Sequence, residues 1–141
     1  MFDCVVDTSI AVKWILKESD SVAALSVMNE VLSQGGSLHY LDIAAIEAAN
    51  VFWVNHHRKK ISDSEARRLL KAFGTLPLSL LAALPLLDDA FDIALQYRVA
   101  VYDACFVAAV QKLGCRGVTA DVPLVQKVGA AFPSIVLLQD W

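Results

Sequence analysis

The sequence predicts an α/β fold: a three-layer α/β/α sandwich with a central parallel sheet of about five strands. Its hydrophobic pattern switches repeatedly between short apolar runs and helical spacing, so strands and helices alternate along the chain. The first run, Cys4-Val5-Val6, has no polar alternation, as in a central strand covered on both faces. With 57% hydrophobic and 19% charged residues and a mean hydropathy of +0.52, the 141 residues read as one domain over 1–141 with a large core.

That first strand ends at Asp7. Apolar residues then recur at helical spacing from Ser9 to Leu16 and from Ser21 to Leu32, and Gly35-Gly36 stops the second helix. Ser37 to Leu41 reads as a short strand. A longer helix runs from Asp42 to about His57, with Ile43, Ile46, Val51 and Val54 as its apolar positions and Glu47 in its second turn. Ser62-Asp63-Ser64-Glu65 has the form of a capping box that opens a helix to about Phe73. Leu76 to Leu81 is strand-like, and Pro85 restarts a helix through Gln96. Val99 to Tyr102 is a connector, followed by a helix from Asp103 to Leu113 that Gly114 ends. Gly117 to Thr119 is a strand, Asp121 to Val128 a short helix and Ile135 to Leu138 the last strand. Strands separated by helices pair in parallel through right-handed crossovers, and ligands then sit at the carboxyl ends of the strands.

Several function classes are excluded early. The longest stretch free of charged residues, Ala72 to Leu87, contains Gly74, Pro77 and Pro85 and is shorter than the about 20 apolar residues of a membrane span. Twelve basic against fifteen acidic residues give a net charge of −3, so the whole chain lacks the electrostatic footprint of a basic nucleic-acid binder. Cys4, Cys105 and Cys115 are odd in number and form no Cys-x-x-Cys, which reads as reduced thiols in the cytoplasm. Met1-Phe2-Asp3-Cys4 lacks the basic segment and apolar core of an export signal.

What ends each strand points to chemistry. Asp7 ends the first strand, Asp121 follows the strand at Gly117–Thr119, and Asp103 opens the helix after Val101-Tyr102, so all three project toward one edge. Glu47 lies within reach on its helix. Each Asp alone is an ordinary helix cap. Four carboxylates drawn together from distant parts of the chain repel one another, and a hard divalent cation relieves that repulsion. With no His or Cys at ligand spacing, Zn²⁺ is disfavoured and Mg²⁺ or Mn²⁺ expected. Such ions polarise phosphoryl oxygens and generate hydroxide from bound water, so phosphodiester hydrolysis is the natural reaction.

Four segments carry a resemblance: Val5-Val6-Asp7-Thr8-Ser9, Ile46-Glu47-Ala48-Ala49-Asn50-Val51, Tyr102-Asp103-Ala104-Cys105-Phe106-Val107-Ala108-Ala109 and Val118-Thr119-Ala120-Asp121. Over nearly the whole chain, in order and spacing, they resemble the signature segments of PIN domains, most strongly the VapC toxins of toxin–antitoxin pairs. The resemblance implies a metal-dependent endoribonuclease acting on single-stranded RNA, commonly a homodimer, inhibited by a cognate antitoxin. Asp7, Glu47, Asp103 and Asp121 match the family's acidic quartet around Mg²⁺ or Mn²⁺. Ser9 matches a hydroxyl beside it and Thr119 the small polar residue before the last acid.

Other features have plainer readings. Arg58, Lys59 and Lys60, with Arg67, Arg68 and Lys71 on the next helix, either guide an RNA backbone or form a solvated hairpin tip. Trp14 and Trp53 read as core or interface rather than base-stacking platforms, and His39 as structural. Asp88, Asp89 and Asp92 are first-turn dipole compensation. The segment Leu76–Leu87 fits a core or a dimer surface. Three rivals stand beside a toxin ribonuclease: an RNA-processing or non-cleaving PIN-fold protein, a Mg²⁺-binding receiver domain, and an Asp-x-Asp phosphatase. Position nine being Ser9 and Asp7 lacking an acidic neighbour disfavour the last two.

Overall fold

A computed structural model describes residues 2–141. Five strands, β1 (Cys4–Val6), β2 (Leu38–Leu41), β3 (Leu78–Leu81), β4 (Arg116–Thr119) and β5 (Ile135–Leu137), form one all-parallel sheet in the order β3-β2-β1-β4-β5. The helices are α1 (Thr8–Ala11), α2 (Ser21–Ser33), α3 (Asp42–His57), α4 (Asp63–Phe73), α5 (Leu87–Tyr97), α6 (Val101–Leu113) and α7 (Val122–Val128). The chain steps outward from β1 to β3, then returns past β1 to β4 and β5. Right-handed crossovers therefore put α2–α4 on one face and α5–α7 on the other, which makes the three layers.

Burial explains why the middle of the sheet is so apolar. All three β1 residues are buried, and α6 buries seven consecutive residues from Ala104 to Val110 because it lies between the sheet and α5. A helix hydrophobic all round is a buried helix. At Gly117 a Cβ would stand 2.4 Å from Val110 Cγ2 and 3.0 Å from Phe106 Cζ, so the missing side chain makes room for α6 over β4.

Differences from the sequence expectation fall at element ends. The helix expected over Ser9–Leu16 is a single α turn that tightens into a 3-10 turn at Val12–Trp14, where the Trp14 indole donates to the Ala24 carbonyl at 2.8 Å and draws the chain toward α2. β3 starts at Leu78 rather than Leu76, since Pro77 has no N–H to give a ladder. β5 ends at Leu137, and Leu138 opens a 3-10 turn. Pro85 lies in a 3-10 turn, Leu84–Leu86, ahead of α5. The connector expected over Val99–Tyr102 is partly helix: α6 begins at Val101, so Asp103 is its third residue rather than its first. Ser62 caps α4 as expected, accepting from the Glu65 N–H at 3.1 Å, while the Glu65 carboxylate pairs with Arg68 instead of closing the box.

Helix α3 has the expected bounds and an unexpected inner face. Ala44, Ala48 and Phe52 are buried, whereas Ile46 is 73% exposed. Ala44 and Ala48 let α3 sit close to its neighbours and Phe52 fills the space beyond them, while Ile43 and Val51 pack at the core margin.

Candidate active site

β1 and β4 pair with Val6 opposite Val118, so Asp7 and Thr119 are the next residues along each strand. The strand order turns here, and a crevice opens beyond the carboxyl ends of the two strands. Asp7 is held from three sides. Its Oδ2 accepts from Thr119 Oγ1 at 2.7 Å and from Ser9 Oγ at 2.8 Å, and its Oδ1 accepts from the Thr8 N–H at 2.9 Å. Both hydroxyls are themselves oriented: Ser9 Oγ accepts from the Ala120 N–H at 3.0 Å, and Thr119 Oγ1 from the Asp121 N–H at 3.0 Å. Each hydroxyl thus links a backbone N–H to the same carboxylate oxygen, while Oδ1 accepts only from Thr8.

The other acids arrive from three helices. Asp121 caps α7, its Oδ1 accepting from the Leu124 N–H at 3.0 Å. Asp103 stands in the first turn of α6. Glu47, at the exposed mouth, accepts from Thr8 Oγ1 at 3.4 Å. All four carboxylates, with Thr8, Ser9, Val12, Ile46, Asn50, Val51 and Ala120, line one cleft of about 640 Å³. Among the described residues no three acids, histidines or cysteines stand close enough to enclose an ion by themselves.

Burial and, after it, neighbouring carboxylates raise the carboxyls of Asp7, Asp103 and Glu47. Burial first, then the charge of Asp121, pushes the Asp7 carboxyl up against the pull of its hydrogen bonds. Asp103 is raised by burial and by Asp7 and Asp121, with the Lys127 ammonium pulling the other way. Burial and the charges of Asp7 and Asp103 also raise Glu47. Carboxyls raised in the folded state bind protons more tightly there than in the unfolded chain, so protonation stabilises the fold at low pH and that stability is lost as pH climbs through the raised values. In EDTA, the melting temperature is expected to fall as pH rises above the ordinary carboxylate values of 3.8 and 4.5. A thermal scan across pH that shows no such fall contradicts this electrostatic account.

Residues 4–127 match the PIN domain family. The chain belongs to the PIN domain family. It is 34% identical over 131 residues to Ribonuclease VapC3 of Pyrobaculum aerophilum, covering 86% of this chain and 97% of that one. The fold of this PIN domain is shared by a Pyrobaculum aerophilum crystal structure with a TM-score of 0.70, 22% identity and coverage of 99% and 91% of the two chains. It is shared also by a toxin–antitoxin complex from Klebsiella pneumoniae, with a TM-score of 0.66, 14% identity and coverage of 96% and 97%.

Not every candidate reaches the cleft of the PIN domain. Arg58, Lys59 and Lys60 lie exposed past the far end of α3, about 16 Å along its axis from Glu47. Arg67 and Arg68 are paired with Asp63 and Glu65. Asp88, Asp89 and Asp92 are exposed on α5 and line no part of the cleft. His39 is structural, its Nε2 3.2 Å from Asp3 Oδ2. Trp14 joins the core margin, and Trp53, read as core or interface, is 56% exposed and so lies outside the core. Three residues the sequence reading passed over bear on the site: Thr8 on Glu47, Asn50 in the cleft wall and Lys127 near Asp103. Asn50 is legible in hindsight, since it follows Glu47 by three residues and so shares its helix face.

Proposed function

We propose that this PIN domain is a metal-dependent endoribonuclease that hydrolyses phosphodiester bonds of single-stranded RNA and serves as the toxin of a toxin–antitoxin pair. The observation that carries the reading is the gathering of Asp7, Glu47, Asp103 and Asp121 in one cleft at the carboxyl edge of the sheet. The likeness to Ribonuclease VapC3 supports the nuclease assignment.

The donors fit Mg²⁺ or Mn²⁺. They are all oxygens, no His or Cys lines the cleft, and these ions keep several waters and need only one or two carboxylates, in keeping with acids that do not enclose an ion alone. Asp7, Asp103 and Asp121 would hold the ion, with Glu47 at the mouth. When bound it supplies a polarised phosphoryl oxygen and a water acidified toward hydroxide. The chain contributes position and proton traffic. Thr119 and Ser9 fix the Asp7 carboxylate so that it does not reorganise during reaction. Glu47, raised above an ordinary glutamate and open to solvent, is the carboxylate best placed to take and return a proton at the mouth.

The partner that fits is a small antitoxin whose basic or apolar tail occupies this acidic cleft, a reading supported by the Klebsiella complex. A second copy of the chain fits the exposed apolar face of Leu84, Leu87, Phe91 and Tyr102 beside a groove of about 390 Å³, giving a homodimer. No single helix among the described residues is long and apolar enough to cross a membrane, and three free cysteines suit the reducing cytoplasm. The test is incubation of total cellular RNA with antitoxin-free protein in Mg²⁺, Mn²⁺ or EDTA. Fragments are expected with either metal and none with EDTA; intact RNA in all three, from folded protein, overturns the reading.

A further inference from the structure

The cleft that cuts RNA on the reading above is itself acidic and repels the RNA backbone, so the chain on either side of the scissile phosphate has to be held elsewhere. One surface leads directly out of the cleft. Asn50 lines it, and Trp53 and His57 follow at three and seven residues along α3, on the same face of the helix. Trp53 is 56% exposed, and its ring lies nearly parallel to that of His57, with centroids 4.9 Å apart and 12° between planes. Trp53 is thus a half-exposed ring braced on one face by His57. Immediately beyond it come Arg58, Lys59 and Lys60, all exposed.

Among the described residues these three cations have no carboxylate within 4.0 Å, and they are consecutive, whereas the adjacent pair Arg67 and Arg68 is neutralised by Asp63 and Glu65. Lys59 adopts φ 58, a left-handed conformation that glycine or asparagine takes more readily. Stacking rings backed by unpaired cations are the two elements of a single-strand binding surface. The large apolar patch suited to a protein partner lies elsewhere, around Leu84, Leu87 and Phe91.

We propose that the outer face of α3, from Asn50 through Trp53 and His57 to Arg58, Lys59 and Lys60, is the track on which single-stranded RNA leaves the acid cleft, with a base stacked on Trp53. The proposal rests on the endoribonuclease reading and adds to it where the RNA lies. The surface works with the cleft as one substrate channel, binding affinity being set on the helix and chemistry at the acids.

The test measures binding of a fluorescein-labelled oligouridine and of a uridine dinucleotide to the full chain, in an Asp103→Asn background that keeps the RNA intact. Trp53→Ala is expected to weaken oligouridine binding about 5- to 100-fold, as loss of a base-stacking aromatic does, and to leave the dinucleotide unchanged. Trp53→Phe, which keeps a ring, restores most of the affinity. Replacing the three cations together, with Arg58→Gln, Lys59→Asn to suit the left-handed backbone, and Lys60→Gln, is expected to flatten the salt dependence of log affinity by about 2, three phosphate contacts at about 0.7 each. With the acids intact, Trp53→Ala raises KM for long RNA and keeps kcat. Unchanged oligouridine affinity in Trp53→Ala overturns the track, as does a variant that keeps RNA affinity and loses instead its binding to a second copy or a protein partner. Absence of oligouridine binding in the parent protein as well overturns the RNA reading beneath it, a result distinct from equal binding by parent and variant.

Discussion

Replacing Asp103 by asparagine is expected to lower RNA cleavage by at least about a hundred-fold, roughly 2.7 kcal/mol of transition-state stabilisation, while raising the melting temperature of the metal-free protein. The two effects have one cause. Asp103 carries a charge that Asp7 and Asp121 oppose and that burial penalises, so in the absence of a cation the folded protein is better off without it. Asparagine keeps the shape and removes the charge. A structural acid shows the opposite signature, a loss of stability with little loss of rate. The comparison needs cleavage assays in Mn²⁺ and thermal melts in EDTA on the same two proteins. A variant that cuts as fast as the parent removes Asp103 from the site.

Phe52→Ala is expected to destabilise the fold by about 3–5 kcal/mol, the usual cost of emptying a buried aromatic site. Phe52 is 2% exposed and meets Phe73 edge to face at 6.1 Å, and Phe73 in turn meets Tyr40 at 5.7 Å. This aromatic chain ties α3 to α4 and to β2, so emptying the Phe52 site removes the edge-to-face contact that joins the two helices. For a chain of this size the midpoint of thermal unfolding falls by about 10 °C or more. Below that midpoint the variant keeps metal-dependent cutting, because Phe52 lines no part of the cleft. A melting temperature within a degree or two of the parent contradicts the packing described for α3.

Where sequence and structure agree, the signal is local chemistry. Asp7 and Asp121 sit one and two residues past the strands they follow, so their edge of the sheet is legible from the strands alone. The α3 and α4 bounds are legible from Gly-free helical spacing and from Ser62, whose side chain caps α4. Where they part, tertiary packing decides. Helix α1 is cut short by a contact between Trp14 and α2, which no pattern over Ser9–Leu16 records. Asp103 enters the cleft from inside the first turn of α6 because Val101 and Tyr102 are already helical, although a connector and a helix start look alike there. Ile46 reads as an inner position because α3 carries apolar residues on several faces, and periodicity cannot rank alanine against isoleucine for the buried one. That face takes Ala44, Ala48 and Phe52, and Ile46 stays exposed.

The proposed cation site of Asp7, Asp103 and Asp121, with Glu47 at its mouth, is tested by a Mn²⁺ titration of the purified protein followed by calorimetry and by thermal shift. Saturable Mn²⁺ binding that Mg²⁺ competes away is expected, with a melting temperature that rises with the metal and loss of both effects in Asp7→Asn and Asp103→Asn. Failure of the folded protein to bind Mn²⁺, or binding that survives unchanged in both variants, would contradict it.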